Sequence, residues 1–464
     1  MRIPGPEPRE DGGVGAISEA GGLHLYQRWL HERFGPVVRF QLPGAGTAVS
    51  VADPVLLEDI VHVDERPAEL FAFLSPLCEA GNLQVLPGDE HEPWRRLLLE
   101  VFAGRPSHER HFARFVALVG ELADRWGRQS GRAPVALQKD LTSLSLRMIC
   151  AYALGDGAGD SGDGGDGGDG EGVPVDAEAV VSSFETVLTE YLGQGGNATP
   201  RAAEALAYLR ATVDRVVSAH RASGRTDRSD LIGALVEAGE TPARIRDTVM
   251  VTMLAAHHTT GVAVSWALHL LGEHPDVADR VTEELDRVLG GRAAPDYADL
   301  RHLTYLDQVL KESMRICPPG PYGARETTEA VTLGPYEIPA GTPLFLPFWA
   351  VHMNPGHWPE PERFDPGRFA PDAVAKRPRL AHIPFGFGPR ACEGARLATV
   401  EALLVLAVLL KRFRFRPVPG HEVTPVERFV LWAADDILMD VTERDGAGPG
   451  GDGPGADGRG VSPA

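Results

Sequence analysis

Phe385-Gly386-Phe387-Gly388-Pro389-Arg390-Ala391-Cys392-Glu393-Gly394 is the stretch around which the rest of the chain is organised. Three glycines and a proline crowd one cysteine, and an apolar helical run follows over residues 397–410. Glycines at this density permit left-handed turns and let backbone pass close to a bound group. A cysteine beneath inward-facing amides can be held as a thiolate, the form that ligates metal. Arg390 is near enough to pair with an anionic substituent of the same ligand. A single thiolate with no partner cysteine suits an axial position on haem iron better than a zinc or iron–sulfur site. A glycine-rich turn around a buried structural cysteine is the bland alternative.

The composition allows a large core, with 43% apolar residues in a chain of 464. A formal net charge of −20 argues against nucleic acid or an anionic membrane surface as the main partner. The four cysteines, at 78, 150, 317 and 392, show no CxxC spacing, which fits a reducing compartment without a disulfide framework. The first residues contain no apolar stretch of signal-peptide type. The longest wholly apolar run, residues 402–410, is too short to cross a bilayer. The expectation is a soluble, cytoplasmic protein.

Residues 1–22 are rich in Gly, Pro and Glu and are expected to lie loosely on the surface. Helical patterns follow at 23–34, from 91 onward, and at 110–129, 137–154, 177–192, 200–223 and 242–272; further ones begin at Pro275 and Thr304. Asp53-Pro54 predicts another helix, to about Val63. Residues 37–50 read as a hairpin around Pro43-Gly44-Ala45-Gly46. Residues 155–172 hold six acids among glycines and nothing apolar larger than alanine, so they read as a disordered insertion; residues 446–464 read as a disordered tail.

Three further patterns stand out. His91 and Arg95, four apart, share a helix face. The long helix over 242–272 is interrupted by His257-His258-Thr259-Thr260, polar groups that are costly in an apolar helix unless bonded locally or serving a polar pocket. Glu312 and Arg315 have salt-bridge spacing, and Pro361-Glu362-Arg363-Phe364 follows downstream.

Taken with the cysteine loop, these motifs resemble the cytochrome P450 superfamily over roughly residues 23–442, in the family's order. The loop matches its pattern Phe-Gly-x-Gly-x-Arg-x-Cys-x-Gly at every fixed position. The resemblance implies a mainly α (α+β) fold: one large helical domain over 23–445 with small β-sheets. Haem b would lie between the long central helix and the cysteine loop, with Cys392 as its iron ligand. His91, Arg95, Arg325 and Arg390 would hold the propionates. Glu312, Arg315 and Arg363 would form a buried ionic triad. Residues 177–223 would form a flap over the cavity, with Phe184 and Leu188 facing it beside Phe71, Phe73, Met250, Met253 and Leu254. Thr259 matches the threonine that helps deliver protons toward dioxygen.

Two positions depart from the family pattern. Ala256 stands where glycine is usual, and His258 where Asp or Glu is usual. Imidazole changes protonation near neutral pH, so His258 is expected either to replace the acid as a proton relay or only to fill a polar gap. The implied activity is monooxygenation of a hydrophobic small molecule with O2. Electrons would come from a ferredoxin and its NAD(P)H-dependent reductase, with Arg390 and Arg396 as docking cations. The altered helix leaves room for a non-hydroxylating haem-thiolate reaction (desaturation, oxidative coupling or rearrangement) or for a haem-based sensor.

Overall fold

The computed structural model describes residues 2–77, 79–81, 86–154, 175–191, 199–224, 230–428 and 430–444. The insertion at 155–172, the tail at 446–464, Cys78, Leu192 and Phe429 lie outside the described residues.

Helices dominate: α1 (Leu23–Phe34), α2 (Gly88–Phe102), α3 (Arg105–Gln129), α4 (Leu137–Leu154), α5 (Ala177–Glu190), α6 (Pro200–Ser223), α7 (Pro242–Glu273), α8 (Pro275–Leu289), α9 (Thr304–Ile316) and α10 (Ala395–Arg412). The axis is α7. It begins where the sequence places a cap: Thr241 Oγ1 accepts from the Arg244 N–H, and Pro242 occupies the first helical position. Its middle is buried on nearly every side, so the apolar residues do not fall on one stripe. Against α4 the approach is backbone to backbone. A Cβ on Gly261 would lie 2.7 Å from the Leu141 carbonyl oxygen and from Thr142 N and Cα, and Ser145 Oγ donates to the Ala256 carbonyl at 2.9 Å. The run after the cysteine loop, α10, is buried throughout residues 401–410.

The hairpin forms as β1 (Val37–Leu42) and β2 (Gly46–Val51), antiparallel with Val37 opposite Val51 and Leu42 opposite Gly46. Gly44 and Gly46 both take positive φ, of 81° and 71°, which the turn requires. With β3 (Gly323–Glu326) and β6 (Pro343–Leu346) they form a sheet of order β1-β2-β6-β3; between β3 and β6 a small hairpin pairs β4 (Val331–Leu333) with β5 (Tyr336–Ile338). Near the end of the chain β7 (Pro425–Arg428) pairs with β8 (Val430–Ala433). The architecture is the mainly helical, small-sheet fold expected.

Three expectations are corrected. The segment ahead of α1 is not loose: Arg39 N donates to the Pro4 carbonyl at 2.8 Å, Val14–Glu19 forms a short helix, and Ile3, Ala16 and Ile17 pack on buried clusters. After Asp53 there is only a 3₁₀ turn, Leu56–Glu58; Asp53 Oδ1 caps it through the Val55 and Leu56 N–H groups. The chain then leaves helical geometry, and Asp64 meets the cysteine loop, so a tertiary contact overrides the local pattern.

The ionic triad has a different third member. Glu312 and Arg315 are fully buried and joined by two hydrogen bonds, 2.7 and 2.9 Å. Arg363 contributes only its carbonyl oxygen, 3.4 Å from Arg315 Nη2, while its side chain is exposed beside Glu360. The second cation on Glu312 is Arg368, at 3.3 Å, carried inward by the 3₁₀ turn Pro366–Phe369, and Asp365 N also donates to Glu312. Glu312→Ala should therefore cost about 3–5 kcal/mol, because it strands a buried guanidinium. Arg363→Ala should stay within about 0.5 kcal/mol. Denaturant midpoints of the two variants check this.

Candidate active site

Between α7 and the cysteine loop lies a cavity of about 420 Å³. One wall is a single face of α7: Thr248, Val251, Thr252, Ala255, Ala256, Thr259 and Ala263, residues at three- and four-residue spacing. The opposite wall is Phe385, Gly386, Cys392 and Gly394 with Leu397 and Ala398 of α10. The end formed by Phe71, Phe73, Leu74, Leu98, Phe102 and Ile149 is apolar. The segment carrying Phe71 and Phe73 is tied down by Glu79, which pairs with Arg210 and Arg246, and by Ala80 N donating to Asp247 at 2.6 Å.

The loop holds its cysteine by backbone geometry. Gly386 and Gly388 have φ of 69° and 67°, and a Cβ on Gly388 would stand 2.4 Å from the Val61 carbonyl oxygen, so only glycine fits there. Cys392 N donates to the Phe385 carbonyl at 2.8 Å, and the side chain faces the cavity. Burial, and then Glu393, pushes its thiol up to about 11, against the opposing effect of the Gly394 amide, Arg95 and Arg66. Sequence reasoning expected amides to favour the thiolate; the fold by itself favours the thiol.

Arg325 and Arg390 line the cavity, joined by Arg66, which the sequence did not single out. Burial and the crowding of like charges bring Arg325 down to about 9 and Arg66 to about 10. Arg390 is anchored as well as positioned: its guanidinium pairs with Asp64 at 2.5 Å and donates to the carbonyls of Asp64 and Leu86 at 2.8 Å each. His91 and Arg95 are not on the cavity wall. Arg95 donates to the Ala391 carbonyl at 2.6 Å and pairs with Glu393; His91 is buried 3.8 Å from Asp64 and 3.9 Å from Glu393. Burial and Arg390 lower His91 to about 4, so it is a neutral N–H donor at neutral pH, and its Nδ1 has no hydrogen-bond partner among the described residues.

Arg66, Arg325 and Arg390 gather beside Asp64 and Glu393, with Arg95 behind them on Glu393. Three guanidiniums lining one cavity can complement carboxylates on a ligand. One soft donor, glycines where backbone must come close and a cluster of guanidiniums lining the cavity fit haem b. No group of three or more His, Cys, Asp or Glu able to hold a metal occurs among the described residues.

Thr259 faces the cavity and donates to the Ala255 carbonyl at 2.8 Å. His258 does not line it. Its ring stacks on His257 with centroids 4.0 Å apart and meets Trp432 edge-on at 5.2 Å; burial lowers it to about 4, away from neutrality. A different group does line the cavity: Glu401 of α10, 2% exposed, with Oε2 3.5 Å from Thr260 Oγ1 and Oε1 without a partner among the described residues. Burial raises its carboxyl to about 8. It is the one charged residue within the run 397–410, a signal the sequence did offer.

Of the expected pocket residues, Phe71, Phe73 and Leu254 line the cavity. Met250 and Met253 are buried on the other side of α7, and no described residue of α5 or α6 is on the wall; Phe184 instead packs edge-on against His257.

A family model described as Cytochrome P450 matches residues 12–439. Among curated proteins, the cyclooctat-9-en-7-ol 5-monooxygenase of Streptomyces melanosporofaciens is 37% identical over 73% of this chain and 74% of its own. Cyclooctatin synthase from the same organism is 37% identical over 50% of this chain, and the match spans 51% of that enzyme's length. Putative cytochrome P450 132 of Mycobacterium tuberculosis is 35% identical over 84% of this chain and 87% of its own. No helix among the described residues is long and apolar enough to cross a membrane.

Because Glu401 stays protonated in the fold while an unfolded glutamate ionises near pH 4.5, the unfolded state binds fewer protons over the interval between. Stability should therefore fall as pH rises from about 4.5 to about 8. Glu401→Gln, neutral throughout, should remove that slope; thermal midpoints of both proteins across the interval measure it.

Proposed function

This chain belongs to the cytochrome P450 family, and from that premise we propose that it is a haem-thiolate monooxygenase placing one oxygen atom from O2 into an apolar terpene or polyketide scaffold, by hydroxylation or epoxidation. The observation that carries this is the position of Cys392 and Thr259 on opposite walls of one largely apolar cavity. The names of two relatives, both referring to cyclooctatin compounds, support the terpene side of this reading.

Haem b, when bound, supplies the electron storage and dioxygen activation, and thiolate ligation favours O–O cleavage. Cys392 would hold its iron. Arg66, Arg325 and Arg390 would take the propionates, with His91 and Arg95 behind them keeping Asp64 and Glu393 in place. The apolar wall excludes water and orients the substrate. Thr259, once its hydroxyl turns from the Ala255 carbonyl, can offer a proton at Oγ1. We read Glu401 rather than His258 as the group that refills it: Glu401 lies on the cavity beside Thr260 and is poised near neutral pH, whereas His258 is off the wall and neutral. Electrons would come from a ferredoxin and its NAD(P)H-dependent reductase. Arg390 is buried and paired, so the exposed Arg396 is the better docking cation of the two.

Reconstitution with such a pair under labelled dioxygen should give product bearing one labelled oxygen; turnover that leaves the product unlabelled overturns the reading. In the same assay Glu401→Gln should lower product formed per NAD(P)H by about tenfold or more, and His258→Ala should leave that ratio near wild type.

A further inference from the structure

Buried hydroxyls on the helices of this protein generally satisfy themselves. Thr142, Thr186 and Ser265 each donate to the carbonyl four residues back, at 2.6, 2.9 and 2.7 Å, and Thr259 does the same within the cavity wall. Thr248 departs from this, as does Ser313 of α9, which does not line the cavity. Thr248 is 2% exposed, it lines the cavity, and its Oγ1 has no hydrogen-bond partner among the described residues. An unmet buried hydroxyl carries a desolvation penalty that a ligand's polar group can relieve.

Its position gives that vacancy a direction. Thr248, Thr252, Ala255 and Thr259 share the wall-forming face of α7. Eleven residues at about 1.5 Å each put Thr248 about 16 Å along the helix from Thr259. All the charged side chains lining the cavity, Arg66, Arg325, Arg390, Glu393 and Glu401, lie off α7; the Arg66 guanidinium sits over the Phe71 ring, 4.7 Å from its centroid. The face that α7 turns to the cavity therefore offers apolar surface and neutral hydroxyls, with Thr252 one turn on from Thr248.

Resting on the monooxygenase reading above, we propose that Thr248 is a specificity residue that hydrogen-bonds one uncharged oxygen, a hydroxyl or keto group, on a substrate whose body is otherwise hydrocarbon. The substrate is then an extended, already oxygenated scaffold held by its oxygen at the far end of the cavity from Thr259. A reaction that installs that oxygen must precede this one. A site built to bond such a group discriminates strongly against the same skeleton without it.

Matched pairs test this: cedrane with cedrol, and abietane with abietanol, titrated against the haem-loaded protein while following the Soret band. The alcohol of each pair should bind about tenfold tighter than its hydrocarbon. Thr248→Val, of the same shape, should erase that preference, and Thr248→Ser should keep it. A structural role for Thr248 would move both members of a pair equally. The proposal is overturned by equal binding within pairs, by a preference that survives in Thr248→Val, or by binding of neither member. A carbon monoxide complex with the thiolate-type Soret band, present in the same preparation, shows that such a failure belongs to the anchor; its absence strikes the family reading beneath.

Discussion

Arg390 ties the cysteine loop to the segment that precedes α2, through the Asp64 carboxylate and the carbonyls of Asp64 and Leu86. Much of the site depends on that tie. It works only because Gly388 lets the loop pass against the Val61 carbonyl, where any side chain would collide. With the loop fixed there, Cys392 faces α7 across the cavity, and α10 leaves the loop at an angle that buries Glu401 against Thr260. The Glu312–Arg315 pair, with Arg368, braces the neighbouring chain in the same way: buried charge held by several hydrogen bonds, costly to disturb once folded.

The guanidiniums that line the cavity beside the loop favour an anionic ligand group. Burial disfavours so many guanidiniums, and it lowers Arg66 and Arg325 together with the neighbouring like charges. Asp64 and Glu393 offset part of that lowering and hold His91 and Arg95 in register. Across the cavity the polarity reverses. There α7 presents threonines and small apolar residues, and the one titratable group reaching the cavity near Thr260 is a carboxyl raised to about 8.

Much of this was legible in the sequence. The cysteine loop, the cap at Thr241-Pro242 and the Val37–Leu42 hairpin strand are written in local chemistry: glycine for positive φ, a hydroxyl for an orphan N–H, alternation for a half-buried strand. Other assignments failed because they needed a direction as well as a residue type. Arg363 and Arg368 are both arginines near the same motif, and only the 3₁₀ turn Pro366–Phe369 decides which one meets Glu312. Met250 and Met253 are as apolar as Val251 and Leu254, but they lie on the side of α7 turned away from the cavity.

The sequence by itself determined the family, the thiolate ligand candidate and the long central helix, since each rests on residues adjacent in the chain. Only the tertiary structure decided which titratable group meets Thr260. Glu401 is 141 residues from Thr260, and its raised pKa comes from burial between two helices, which no local pattern encodes. His258, adjacent to Thr259 in the chain, is turned by the helix toward His257 and Trp432, because each residue step rotates the side chain by about 100°.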